Sequence, residues 1–184
     1  MANTNVFTGA HGTLTLAPLD NPEGRDAGSI VSQYQIQTVG RVHDVKVFVQ
    51  TDLEAFHEIG RRYPTSLHPG NIHISGEVGR AYMNGALIGL LLGRKAFLPD
   101  TVEPFVQPAF NIVLRLRDPA AVAADGPIVA QLSVNGVKFQ NWSYHLPEDD
   151  FVLEQVTFQA LSIEITDIEG TVTVGPVFVA PAGA

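Results

Sequence analysis

"PIVAQLSVNGVKFQNWSY", residues 127–144, is two alternating apolar–polar runs joined at Asn135-Gly136. A period of two marks a strand with one buried face. Asn-Gly between two such runs is the dipeptide of a type I′ hairpin, because both turn residues need positive φ. The stretch predicts a pair of antiparallel strands turning at 135–136, and it sets the fold class as mainly β. The next segment, "DDFVLEQVTFQALSIEITD" (149–167), is the longest strand signal. Val156, Phe158 and Ala160 share one side, but Leu161, Ile163 and Ile165 continue in the opposite phase. A bulge, or a strand crossing between sheets near Ala160, accounts for that switch.

Working outward, "GTLTLAP" (12–18) alternates from Thr13 to Ala17. "SQYQIQTVG" (32–40) places Tyr34 and Ile36 on one face and Gln33, Gln35 and Gln37 on the other. "DVKVFVQ" (44–50) sets Val45, Val47 and Val49 against Asp44, Lys46 and Gln50, so these two segments read as an antiparallel pair. "NIHISGEVGRAYMNG" (71–85) supplies a further strand, with Ile72, Ile74 and Gly76 facing one way, and the Pro-punctuated "PDTVEPFVQPAFNIVLRLRDP" (99–119) becomes another in which Ile112, Leu114 and Leu116 oppose Val113, Arg115 and Arg117. "TDLEAFHEIG" (51–60) changes period: Thr51 or Asp52 caps, Leu53, Phe56 and Ile59 recur at helical spacing, and Gly60 stops the turn. A second short helix is expected over Ala86–Leu92. "RRYPTSLHPG" (61–70) reads as a connector, because Pro64 and Pro69 interrupt regular structure. Residues 18–29 and 118–127 read as loops. The expected architecture is a β-sandwich or barrel of two packed antiparallel sheets with one or two short flanking helices.

The chain of 184 residues is 45% hydrophobic, enough to build a core as a single domain. Its formal charge of −8 argues against general affinity for phosphate backbones. It has no cysteine, which removes disulfides, thiolate zinc sites and cysteine nucleophiles. The N-terminal residues carry no signal-peptide pattern, and the longest apolar run, "GALIGLLLG" (85–93), is less than half a membrane span. A soluble protein made in a cytoplasm is the expectation.

Catalytic and metal signals are weak. His57, Glu58, His68 and His73 lie close in sequence but match no metal-ligand spacing. Ser75 in "HISGEVG" lacks the glycine pattern of a nucleophile elbow. Glu148, Asp149 and Asp150 could do acid/base work in a glycosidase, but a polar loop explains them more simply. Trp142 and Tyr144 suit either a sugar-stacking platform or core packing. Arg61, Arg62 and Arg80 read as interface ion-pair partners rather than a phosphate site, given the acidic chain. No enzyme, metal or cofactor is expected.

Taken together, "LEAFHEIGRRYPTSLHPGNIHISGEVGRAYMNGALIGLLLG" (53–93) and "VNGVKFQNWSYHLPEDDFVLEQVTFQALSIEITD" (134–167) resemble the tail tube proteins of contractile-tailed bacteriophages. The resemblance spans most of residues 30–167. It implies subunits that form stacked, hexameric rings around a lumen for DNA, their sheets joining between subunits into one barrel. It also implies sheath, baseplate or tube-initiator, terminator and tape-measure partners, and a place in the virion tail after assembly in the host cytoplasm. Tubes of type VI secretion and of contractile injection particles are close alternatives. A carbohydrate- or receptor-binding β-sandwich using Trp142, and a hydrolase using Glu148 or Asp150, are the readings from other classes. On the tube reading, residues 1–184 form one domain with an N-terminal arm (about 1–11), an inter-subunit loop (about 52–70) and a flexible tail (about 180–184). Arg61, Arg62, Tyr63 and Arg80 would serve the interface, with Tyr63 as an anchor. Gln33, Gln35 and Gln37, with Gln155, Thr157 and Gln159, would line the lumen as polar rows that do not hold DNA.

Overall fold

The computed structural model describes residues 6–93, 106–118 and 128–167. After a 3₁₀ turn at Gly9–His11 come β1 (Gly12–Pro18), α1 (Pro22–Tyr34), β2 (Val42–Phe56) and β3 (Ser66–Ala81). Then follow α2 (Ala86–Leu92), β4 (Phe110–Arg117), β5 (Ile128–His145), β6 (Leu153–Ala160) and β7 (Ser162–Asp167). All pairings are antiparallel, in the order β1-β4-β5-β6-β3-β2, with β7 also on β5. The mainly β class is as expected from the sequence.

The expected hairpin at Asn135-Gly136 is not there. β5 runs straight through it, and the dipeptide forms a bulge instead. Phe110 pairs with Val137 and Ile112 with Val134, so Asn135 and Gly136 together oppose Asn111. Gly136 has φ +65, and its N–H donates to Asn111 Oδ1 at 3.0 Å. A left-handed glycine opposite one residue is the signature of a bulge that bends its strand. A Cβ at Gly136 would lie 2.6 Å from Leu161 Cδ1, so glycine is needed for both reasons. Before the bulge β5 pairs with β4 and β7; after it, from Lys138, β5 pairs with β6.

The phase switch near Ala160 is a crossing between sheets. β6 ends at Ala160, Leu161 N–H donates to Asn135 O at 2.9 Å, and β7 restarts at Ser162 on the other half of β5. Both strands therefore change leaf at one place, giving leaf I (β1, β4, first half of β5, β7) and leaf II (second half of β5, β6, β3, β2). Leu14, Leu16, Ile112 and Val134 of leaf I share a buried cluster with Ile74, Val78, Val156 and Phe158 of leaf II. Phe110 and Phe139 meet edge-to-face at 4.9 Å at its centre. Full burial of each such ring is worth about 2–3 kcal/mol.

Three local expectations are corrected. Residues 22–34 form α1, so Gln33 sits on a helix, while Gln35 is its left-handed C-cap (φ 53) and Gln37 lies in the connector that follows. The row Gln33, Gln35, Gln37 thus does not exist as a strand face. The signal for α1 was present: Asn21 caps it by accepting from Gly24 N–H at 2.6 Å, Pro22 begins it, and Ala27, Ile30, Val31 and Tyr34 fall at helical spacing. Residues 51–56 are strand rather than helix, continuing β2. Ser66–Gly70 belong to β3, so the connector is shorter than read, residues 57–65. The short helix at Ala86–Leu92 is where the sequence placed it, and β4 (Phe110–Arg117) contains the alternating residues 112–117 expected as a strand. Residues 1–5 of the N-terminal arm, 119–127 of the expected loop and the tail at 180–184 lie outside the described residues.

Candidate functional site: an amphipathic arm and a polar sheet face

β2 and β3 outrun their neighbours. β6 pairs with β3 only from Ile74 to Ala81, so Ser66–His73 pairs with β2 alone. At 3.3 Å per residue this arm projects about 26 Å beyond leaf II. Its register places Thr51 opposite Ile72, Leu53 opposite Pro69 and Ala55 opposite Leu67, with Gly70 and Asn71 bulged against Asp52. Opposed residues share a face. One face therefore carries Val49, Leu53, Leu67, Pro69 and Ile72, with Thr51 and Ala55 between them, in line with the half-buried Val47 and the core residue Ile74. The other carries Gln50, Asp52, Glu54, His68 and His73, with exposed Phe48 and Phe56 at its two ends. Asp52 and His73 are paired at 3.1 Å, and Ser66 Oγ lies 3.0 Å from His68 Nε2. The apolar face continues the core face of leaf II past the point where the rest of the subunit covers it. Leu53 remains 64% exposed.

The arm ends in the turn that contains the arginine pair. Ile59 is fully exposed and Tyr63 is 79% exposed, while Arg61 Nε lies 3.3 Å from Glu58 Oε2. Arg62 is exposed, with no ion-pair partner among the described residues. Arg61, Arg62 and Tyr63 are thus together and accessible. Arg80 is not. It is 1% exposed, its Nε donates to Glu154 Oε1 at 2.6 Å, and its Nη2 donates to Asn84 O and Oδ1, both at 3.2 Å. The other Glu154 oxygen accepts from the Trp142 indole N–H at 3.0 Å. Arg80 is a core residue of this subunit and, unlike the expectation for an interface arginine, presents no guanidinium to its surface. A buried ion pair needs its remaining donors and acceptors satisfied, and this network does so within one chain. Trp142, half-buried and stacked on Tyr144 at 5.6 Å, belongs to the same packing.

The outward face of leaf II is mostly polar, with Phe48 on β2 as its exposed apolar exception. Gln155 and Gln159 point to solvent with Thr157 between them, while the alternating Val156 and Phe158 are buried. Across the strands, Gln155 donates to Glu77 Oε2 at 2.7 Å, Asn141 to Thr157 Oγ1 at 3.0 Å, and Gln159 to Gln140 Oε1 at 3.1 Å. Lys46 is held between Glu77 and Asp44, and Lys138 lies 3.0 Å from Glu23. The Lys46 ammonium is held above its ordinary pKa, first by its hydrogen bond to Glu77 and then by that to Asp44. Both lysines are therefore tied to carboxylates. What remains is a hydrogen-bonded, neutral-to-acidic surface with two sheet edges that have no strand partner among the described residues, β2 on one side and the second half of β5 on the other, where Gln107 Nε2 donates to Phe139 O at 2.6 Å.

The candidate chemical groups do not converge. Glu148, Asp149 and Asp150 lie exposed in the loop before β6, where Asp150 accepts from Phe151 N–H at 2.6 Å. Ser75 lies within β3. Among the described residues no three His, Asp or Glu side chains gather as a metal site would require.

No protein-family model and no curated protein matches this chain. Solved structures do. A chain of the anti-feeding prophage tube-terminating cap aligns with a TM-score of 0.59 at 10% identity, covering 91% of this chain and 95% of that one. A chain of the extended sheath–tube complex of the extracellular contractile injection system PVC gives 0.58 at 9% identity, covering 89% and 93%. The SPP1 tail tube gives 0.55 at 11% identity, covering 96% and 93%. The shared architecture extends over nearly the whole of each chain, so this protein has the fold found in tail and injection tubes.

Proposed function

We propose that this chain is a non-enzymatic structural subunit that closes into rings, stacked to form the inner tube of a phage-type tail through which DNA passes. The observation that carries this reading is the arm, whose apolar face continues the core face of leaf II and lies bare in the single subunit. A monomer has no use for about 26 Å of two-stranded ribbon with one greasy side, and an isolated hairpin of that kind is not stable in water. A second copy that covers it turns the cost into an interface.

The two edges of leaf II fit the same reading. Pairing the β2 edge of one copy with the β5 edge of the next is a head-to-tail contact, which closes as a ring and removes the edges. Six copies, each giving four strands, would form a barrel of about 24 strands. With strands ~4.8 Å apart and tilted by ~40°, it would be roughly 48 Å across the backbone, leaving a bore wide enough for a DNA duplex. Leaf II would turn its polar face inward, with Gln155, Thr157 and Gln159 on the wall. Neutral amides and carboxylate-tied lysines offer DNA no counter-ion sites, so it slides without being held. Arg61, Arg62 and Tyr63 would act between copies. Sheath, baseplate or initiator, terminator and tape-measure proteins are the partners such a tube would have, in a virion tail assembled in the host cytoplasm.

A contractile injection particle is the second reading, supported by the likeness to a chain of the PVC contractile injection system. Sedimentation and negative-stain microscopy over a concentration series test the common core of both. Rings and tubes should appear as concentration rises, and a strictly monomeric species at high concentration would count decisively against the proposal.

A further inference from the structure

The two ends of leaf II are chemically complementary. At one end is the arm turn, with exposed Ile59 and Tyr63 beside Arg61 and Arg62. At the other is the loop between β5 and β6, where Leu146 and Phe151 (77% exposed) flank Glu148 and Asp149. This loop lies at the Ala81 end of β3, because Ala81 pairs with Leu153, and Tyr82 N–H donates to Val152 O at 2.8 Å. Among the described residues neither Glu148 nor Asp149 has an ion-pair partner. One end thus offers apolar side chains with two cations, Arg61 also lying beside Glu58, and the opposite end offers apolar side chains with three anions, Glu148, Asp149 and Asp150.

We propose that these ends dock on one another between copies in successive rings. The arm turn of one subunit would seat on the 146–151 loop of a subunit in the next ring, Arg61 and Arg62 facing Glu148 and Asp149. The inference rests on the tube reading and adds which surfaces carry the stacking. Arginine–carboxylate pairs across a desolvated contact give both orientation and register. A head-to-tail contact that does not close on itself propagates a stack. The spacing follows from the strand. β3 is 16 residues long, which at 3.3 Å per residue and a ~40° tilt gives an axial repeat of about 40 Å.

The test uses the full chain in three variants: Arg61→Glu with Arg62→Glu; Glu148→Lys with Asp149→Lys; and all four changes together. Circular dichroism checks that each folds. Either pair alone should leave rings but raise the concentration needed for tube growth about ten-fold or more at low salt. The four-fold variant should restore growth, with the ~40 Å repeat kept. Unchanged growth with either pair, or no recovery in the four-fold variant while rings persist, would overturn the docking and leave the tube reading standing. If the unmodified chain forms no ring at all, the tube reading itself fails, and the docking falls with it.

Discussion

Replacing Arg80 with methionine should unfold this protein more readily than any change of similar size on its surface. The guanidinium is almost fully buried and sits 2.6 Å from Glu154, whose own side chain has no exposed area. Methionine fills similar space but leaves the Glu154 carboxylate in the core with the Trp142 indole N–H as its remaining partner. Stranding one member of a buried ion pair costs about 3–5 kcal/mol. In a domain of this size that lowers the melting temperature by roughly 6–20 °C. Adding Glu154→Gln removes the stranded charge while keeping an acceptor for Trp142, so the double variant should regain about 2–3 kcal/mol of the loss. Urea unfolding of dilute, unassembled protein, done as a double-mutant cycle, measures both numbers and avoids the concentration dependence that assembly adds. An Arg80→Met protein that unfolds like the parent but no longer assembles would refute the core assignment and return Arg80 to the interface.

Other perturbations separate the parts. Gly136→Val places a branched side chain at φ +65 against Leu161 and should cost about 2–4 kcal/mol in urea, whereas Gln140→Ala, nearby and exposed, should cost less than 1 kcal/mol. Replacing residues 52–70 by a two-residue Asn-Gly turn should leave a folded monomer, seen by circular dichroism, that no longer forms rings by sedimentation. Gln155→Lys with Gln159→Lys should preserve assembly but give the tubes a salt-sensitive affinity for DNA, read by filter binding at about 50 and 200 mM salt. DNA affinity identical to the parent at both salts would place that face away from the bore.

How much of this was readable from the residues depended on whether a signal was local. β1, β4 and β6 alternate cleanly because each buries one face in this subunit, and the crossing at Ala160 showed as a change of phase. Asn135-Gly136 was ambiguous: positive φ at glycine serves a hairpin turn and a bulge alike, and the difference lies in Asn111, 25 residues away. The arm misled for a related reason. Leu53, Phe56 and Ile59 fall three apart, as on a helix, and what makes 51–56 a strand is the pairing with β3, a contact that sequence spacing does not carry. Pro69 is tolerated in β3 because Gly70 and Asn71 bulge beside it at an edge far from the core. Arg80 looked like its exposed neighbours in composition, and only the register opposite Glu154 sends it inward. Arg61, Arg62 and Tyr63 could be placed together because they are consecutive, whereas Gln33, Gln35 and Gln37 failed as a row once Asn21 and Pro22 started a helix.

Self-association is the most direct test. Purified full-length chain, concentrated and imaged end-on by cryo-electron microscopy, should show six-fold rings with an open centre, and side views should repeat at about 40 Å. Compact single subunits at every concentration, with the arm still bare, would contradict the tube.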